Sequence, residues 1–199
     1  MTSPEPVTLD PSDADSAKPE VPGADAALDA AIVLIGPMGA GKTSVGRRVA
    51  RALEASFTDT DKLVVRDHGP IRDLFLAHGE AHFRALEREA VAEALARGGV
   101  VALGGGAVLD PVTRERLREH HVVLLTVAAH VVASRIHGDE RPLLDGEDPV
   151  ARWQRIFDER RPVYEQTADI AFDTSSGPLA RVVDDIVAWA RRVPAGETA

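Results

Sequence analysis

Eight consecutive residues restrict this chain more than any other part of it: Gly36-Pro37-Met38-Gly39-Ala40-Gly41-Lys42-Thr43 fits G-x-x-x-x-G-K-[ST] at every specified position. An apolar run at 31–35 precedes the loop, and an amphipathic stretch at 42–53 follows it. A strand, a glycine turn and a helix in that order make an anion cradle. The glycines let backbone N–H groups converge on phosphate oxygens, and the helix N-terminus adds roughly half a positive charge. Gly39, Ala40, Gly41, Lys42, Thr43 and Ser44 are the expected nucleotide-binding residues. Lys42 is suited to bridge the β- and γ-phosphates and the Thr43 hydroxyl to ligate Mg²⁺. Past residue 30 the only other lysine is Lys62, so Lys rather than Arg at position 42 is a specific choice.

The rest of the chain continues this pattern. The short segment 56–58 and the apolar runs at 100–103, 122–126 and 170–172 read as strands, and the stretches 80–97, 110–120, 130–137, 150–164 and 178–192 read as helices. Asp110 before Pro111 is an N-cap with proline at the first helical position. Strands apolar on both faces and alternating with helices imply a parallel sheet covered on both sides. The expected fold is α/β, a three-layer α/β/α sandwich around a central parallel sheet of about five strands.

Charge and composition exclude several functions. Against 32 Asp plus Glu stand 23 Lys plus Arg, a net charge of −9, and there is no cysteine. A disulfide framework, a thiol nucleophile and a cysteine-based zinc site are ruled out, and a cytoplasmic protein is expected. Seven acids and one lysine give residues 1–30 a charge of −6, with five of the thirteen prolines and no aromatic residue. Such a segment buries too little apolar surface to offset its chain entropy, so 1–28 reads as a disordered acidic tail, 29–193 as the folded domain and 194–199 as a frayed end. An acidic chain without a basic, aromatic-interleaved stretch is not expected to bind nucleic acid, and no apolar run approaches membrane-spanning length. The seven histidines form no convincing metal set, and Trp153, Trp189 and Phe157 read as packing residues.

Two carboxylates follow the second strand, in Asp59-Thr60-Asp61, at the sheet edge where α/β proteins bind ligands. In an extended segment residues i and i+2 point the same way, so both carboxylates are expected to face the phosphates. Asp59 is then suited to hold Mg²⁺ through water, and Asp61 to bind an acceptor hydroxyl and take its proton. Gly104-Gly105-Gly106 leaves the third strand at the same edge, a run suited to close backbone approach.

From Asp59-Thr60-Asp61 through Gly69-Pro70-Ile71, Leu74-Phe75, Gly79-Glu80 and Phe83-Arg84-Ala85-Leu86-Glu87 to Gly104-Gly105-Gly106, the chain resembles the shikimate kinase family, over about residues 31–190. The resemblance implies a P-loop kinase fold with a mobile lid. It also implies transfer of the γ-phosphoryl of ATP to the 3-hydroxyl of shikimate, with Mg²⁺ as cofactor and ATP and shikimate as partners. By its motifs, Arg84 in Phe-Arg-x-x-Glu and Arg160 in Arg160-Arg161-Pro162-Val163-Tyr164 bind the acceptor carboxylate, and the amides of Gly104, Gly105 and Gly106 meet its hydroxyls. Arg141-Pro142-Leu143-Leu144 matches the family's lid, at about 138–148, whose arginine reaches the transferring phosphoryl group. Arg135 matches an arginine that stacks on adenine. A monomer is expected. A gluconate-type kinase shares the nucleotide half, but the Asp-x-Asp, Phe-Arg-x-x-Glu and triple-glycine set argues against it.

Overall fold

In the computed structural model, residues 30–136 and 148–193 are described. Five strands form one parallel sheet: β1 (Ile32–Ile35), β2 (Phe57–Asp59), β3 (Val100–Ala102), β4 (His121–Thr126) and β5 (Ile170–Asp173), in the order β2-β3-β1-β4-β5. Strand β1 is central, with Ile32 level with Val100 on one side and His121 on the other. Its four residues are all buried, as a central strand covered on both faces requires.

Alternation along β1 sends its side chains into two cores. Ala31, Val33 and Ile35 join Leu63, Phe83, Val91 and Leu117 on one face, the side of α2 (Thr60–His68), α3 (Ile71–Arg97) and α4 (Pro111–Leu117). Ile32 and Leu34 join Val45, Val49, Val132 and Ile186 on the other, the side of α1 (Lys42–Ala52), α5 (Ala129–Ile136) and α7 (Leu179–Ala190). Helix α6 (Pro149–Thr167) crosses the ligand edge, with Tyr164 in the first core and Trp153 in the second. The three-layer expectation holds, as does the Asp110 cap, whose Oδ1 accepts from the Val112 and Thr113 amides at 2.8 and 3.0 Å.

Two expectations differ. The helix read at 80–97 begins at Ile71 and bends at Gly79 (φ 80, ψ 174), a conformation only glycine adopts without strain. The segment after β2 does not stay extended, because Asp59 caps α2 at once by accepting from the Lys62 amide at 3.2 Å. The proposed tail, residues 138–147 of the lid read at about 138–148, and the 194–199 end lie outside the described residues.

Candidate active site

Strand order reverses at β1, with β3 on one side and β4 on the other, and the phosphate loop leaves β1 at that switch point. Gly39 and Gly41 have φ near 83° and 84°, which turns the chain sharply into α1. Lys42 Nζ donates to the Gly36 and Pro37 carbonyls at 2.7 and 2.9 Å, so the lysine folds back over its own loop. The loop is also held from outside. The buried Thr174 hydroxyl lies 3.1 Å from the Ala40 carbonyl oxygen, and Trp153 Nε1 donates to the Met38 carbonyl at 2.9 Å. Ser44 is exposed in the first turn of α1.

Asp59 and Asp61 serve different places. The Thr43 hydroxyl donates to Asp59 Oδ2 at 2.7 Å, while Asp61, in the first turn of α2, lines a cleft of about 630 Å³ with Arg84, Glu87 and Arg160. The pair is not extended as expected: capping starts the helix at Thr60, so Asp61 belongs to the first turn of α2. The intervening Thr60 is fully buried, and its hydroxyl accepts from the Gly104 amide at 3.0 Å, which ties the glycine run to the exit of β2.

Each glycine of that run is closely approached. A Cβ at Gly104 would lie 2.5 Å from Asp61 Oδ1 and 2.7 Å from Glu87 Oε1; one at Gly106 would overlap the Arg84 guanidinium. At Gly105 a Cβ would lie 3.7 Å from both the Gly36 carbonyl oxygen and the Met38 nitrogen, so this residue abuts the phosphate loop. The Gly105 carbonyl accepts from the Tyr164 hydroxyl at 2.5 Å and from Arg160 Nη1 at 3.4 Å.

Arg84 projects from α3 and is clasped by Glu87 Oε2 at 2.7 Å and Glu80 Oε1 at 3.0 Å. Burial opposes the charge of Arg84, but Glu87 and Glu80 outweigh it and raise its pKa above the ordinary value. Glu87 is buried, and burial lifts its carboxyl above the usual range although Arg84 pulls it back. Burial also raises the Tyr164 phenol, against the pull of Arg160. A guanidinium fixed by carboxylates at its back can present its remaining donors to a ligand carboxylate in a set direction. Arg135 stands in the last turn of α5 with its side chain outside the described part, and Arg141 lies wholly outside it.

Sequence reasoning passed over Thr60, Thr174 and the indole of Trp153. The helical spacing of Trp153, Phe157 and Tyr164 accounts for their rings, which stack in sequence at 5.3 and 6.4 Å, but carries no sign of the indole bond to Met38.

A phosphate loop at the switch point of a parallel 2-3-1-4-5 sheet, beside a cleft lined by Asp61, Arg84, Glu87 and Arg160, defines a P-loop small-molecule kinase fold. The family model "Shikimate kinase" matches residues 38–191. Among curated relatives, a shikimate kinase of Corynebacterium efficiens is 44% identical over 158 residues, which cover 78% of this chain and 94% of that one. One from Thermobifida fusca is 49% identical over 146 residues, covering 72% and 84%. The solved structure of shikimate kinase from Acinetobacter baumannii in complex with shikimate superposes with a TM-score of 0.77 at 33% identity, covering 83% of this chain and 96% of that one. The chain belongs to the shikimate kinase family.

Proposed function

We propose that this chain transfers the γ-phosphoryl of ATP to the 3-hydroxyl of shikimate, the reaction of its family, and that the residues gathered at the ligand edge divide the work as follows. Asp61 accepts the hydroxyl proton as the oxygen attacks the γ-phosphorus and ADP leaves. Lys42 and Arg141 stabilise charge on the migrating group, and Gly39 to Ser44 cradle the phosphates. Arg84 and Arg160 hold the acceptor carboxylate, with the Gly104, Gly105 and Gly106 backbone along its hydroxyls. Arg135 packs against the base. The observation that carries this reading is the convergence of Asp61, Arg84, Glu87 and Arg160 on one cleft that shares Gly105 with the phosphate loop.

The Thr43 hydroxyl and Asp59 carboxylate, 2.7 Å apart beside the loop, form a hard-oxygen set of the type Mg²⁺ takes, and these two residues would hold the ion, Asp59 through water. An ion bound there would neutralise phosphate charge. Residues 29–193 form the catalytic domain and the protein acts as a monomer in the cytoplasm; among the described residues no helix is long and apolar enough to cross a membrane.

Coupled measurement of ADP release with shikimate, gluconate and nucleoside monophosphates tests the substrate assignment. Shikimate alone should support fast turnover, and a preference for either of the others overturns it. Asp61→Asn should lower kcat by about 10²–10⁴-fold while leaving nucleotide binding intact; unchanged turnover removes Asp61 from its role.

A further inference from the structure

Helix α6 touches both halves of the site. Near its start, the Trp153 indole N–H donates to the Met38 carbonyl of the phosphate loop at 2.9 Å. Near its end, the Tyr164 hydroxyl and Arg160 reach the Gly105 carbonyl at 2.5 and 3.4 Å. Phe157 fills the distance between them, nearly parallel to Trp153 (20°) and to Tyr164 (27°). The two anchor points are themselves neighbours, since a Cβ at Gly105 would lie 3.7 Å from the Met38 nitrogen. Loop, glycine run and helix thus close a triangle. Trp153 and Tyr164 are only 3% and 1% exposed, so both corners on the helix are fixed by packing.

The phosphate loop has a particular need for this support. Gly36 and Pro37 carbonyls are held by Lys42, which must turn toward phosphate when nucleotide binds. The Trp153 bond to Met38 does not depend on Lys42 and can persist through that exchange.

We infer that Trp153 is a positioning residue that couples the nucleotide and acceptor sites, holding the phosphate loop from the same helix that holds the acceptor-side glycine run. This rests on the acceptor reading above. An acceptor gripping Arg160 and the Gly104–Gly106 backbone fixes α6. Through Trp153 it also fixes Met38, so a nucleotide that follows binds a loop already ordered. Linkage makes the effect reciprocal. The indole N–H is the element that matters, because Phe at this position keeps an aromatic face toward Phe157 but has no donor.

The test is the affinity for a Mg²⁺-bound non-hydrolysable ATP analogue, measured by calorimetry with and without saturating shikimate. In the unaltered protein shikimate should tighten analogue binding by about fivefold or more, the lower end of ordinary coupling. In Trp153→Phe that ratio should fall to below about twofold, with shikimate's own affinity little changed. Retention of the full ratio overturns the inference, as does an equal loss of both affinities, which marks a packing defect only. Failure of the acceptor reading looks different, since the unaltered protein then binds no shikimate. A measurement on the unaltered chain guards against a misfolded variant. With only two tryptophans, ¹⁵N labelling gives two indole N–H signals, and solvent exchange of the Trp153 proton should slow on adding either substrate alone. Exchange indifferent to both substrates refutes the coupling.

Discussion

Gly106→Ala separates the placing of Arg84 from the stability of the fold. The Gly106 backbone (φ −101, ψ −12) is open to any residue, so alanine brings no backbone strain. Its Cβ, however, would overlap Arg84 Nη1 and lie 2.9 Å from Nη2 and 3.0 Å from Cζ, where ordinary contact begins at 3.4 Å. The guanidinium has to withdraw by about half an ångström or more, and it can, because it ends a flexible side chain. Withdrawal disturbs the bonds to Glu87 and Glu80 and turns the fork away from the cleft. A hydrogen bond to a charged group contributes about 1.5–3 kcal/mol. Losing one to the acceptor carboxylate converts to a rise of roughly ten- to hundredfold in KM for shikimate. The change also restricts the unfolded chain, worth about 0.4–1 kcal/mol in favour of folding, so the melting temperature should stay within a few degrees. Coupled kinetics at varied shikimate and varied ATP provide the readout, with KM for ATP expected within about twofold of the original. Adding Gly106→Ala to Arg84→Ala should cause little further loss, since both act through one group. A shikimate KM that does not move, or that rises in step with the ATP KM, refutes the reasoning.

Two further outcomes follow from packing and burial. Tyr164 is the one tyrosine in the chain, so absorbance near 295 nm titrates it alone; burial should shift its native midpoint above the ordinary value of 10.0, returning on unfolding. Because the folded pKa is the higher, the stability this group contributes is complete below about pH 10 and is lost as pH rises through the folded value. Denaturant melts of Tyr164→Phe should lack that alkaline loss, and a native midpoint at or below 10.0 contradicts the burial argument. In Gly46→Ala, the new Cβ would lie 2.5 Å from the Phe57 ring and 3.0 Å from Leu34 Cδ1. Overpacking of about 1–3 kcal/mol, less about 1 kcal/mol regained in helix propensity, should lower stability by up to about 2 kcal/mol in urea melts; a gain in stability would show that Phe57 moves freely.

What the sequence made legible was local or periodic. All five strands were anticipated within one or two residues; β1, β3 and β4 were the clearest, because buried parallel strands are short continuous apolar runs between turn signals. The phosphate loop was legible because its chemistry is confined to eight adjacent residues. The segment at Asp61 is helical and not extended because capping by Asp59, a contact across three residues, decides between strand and helix. The helix before Gly79 was missed because a glycine with positive φ looks like a stop, whereas here it is a bend between two helical stretches. Thr60, Thr174 and Trp153 act through partners 44, 134 and 115 residues away. No periodicity carries that information, and only packing reveals it.

Lys42 closes over the Gly36 and Pro37 carbonyls, and this has a bearing on the rate of release as well as on recognition. A lysine already satisfied by two carbonyls trades bonds when phosphate arrives instead of gaining them, so the net hold on nucleotide is smaller than the contacts in the loaded state suggest. The same trade runs backward when ADP departs: the ammonium has internal acceptors waiting and need not be left bare. On the proposed role of Lys42 the loop thus carries its own stand-in for the ligand, and turnover would proceed by exchange between two satisfied arrangements.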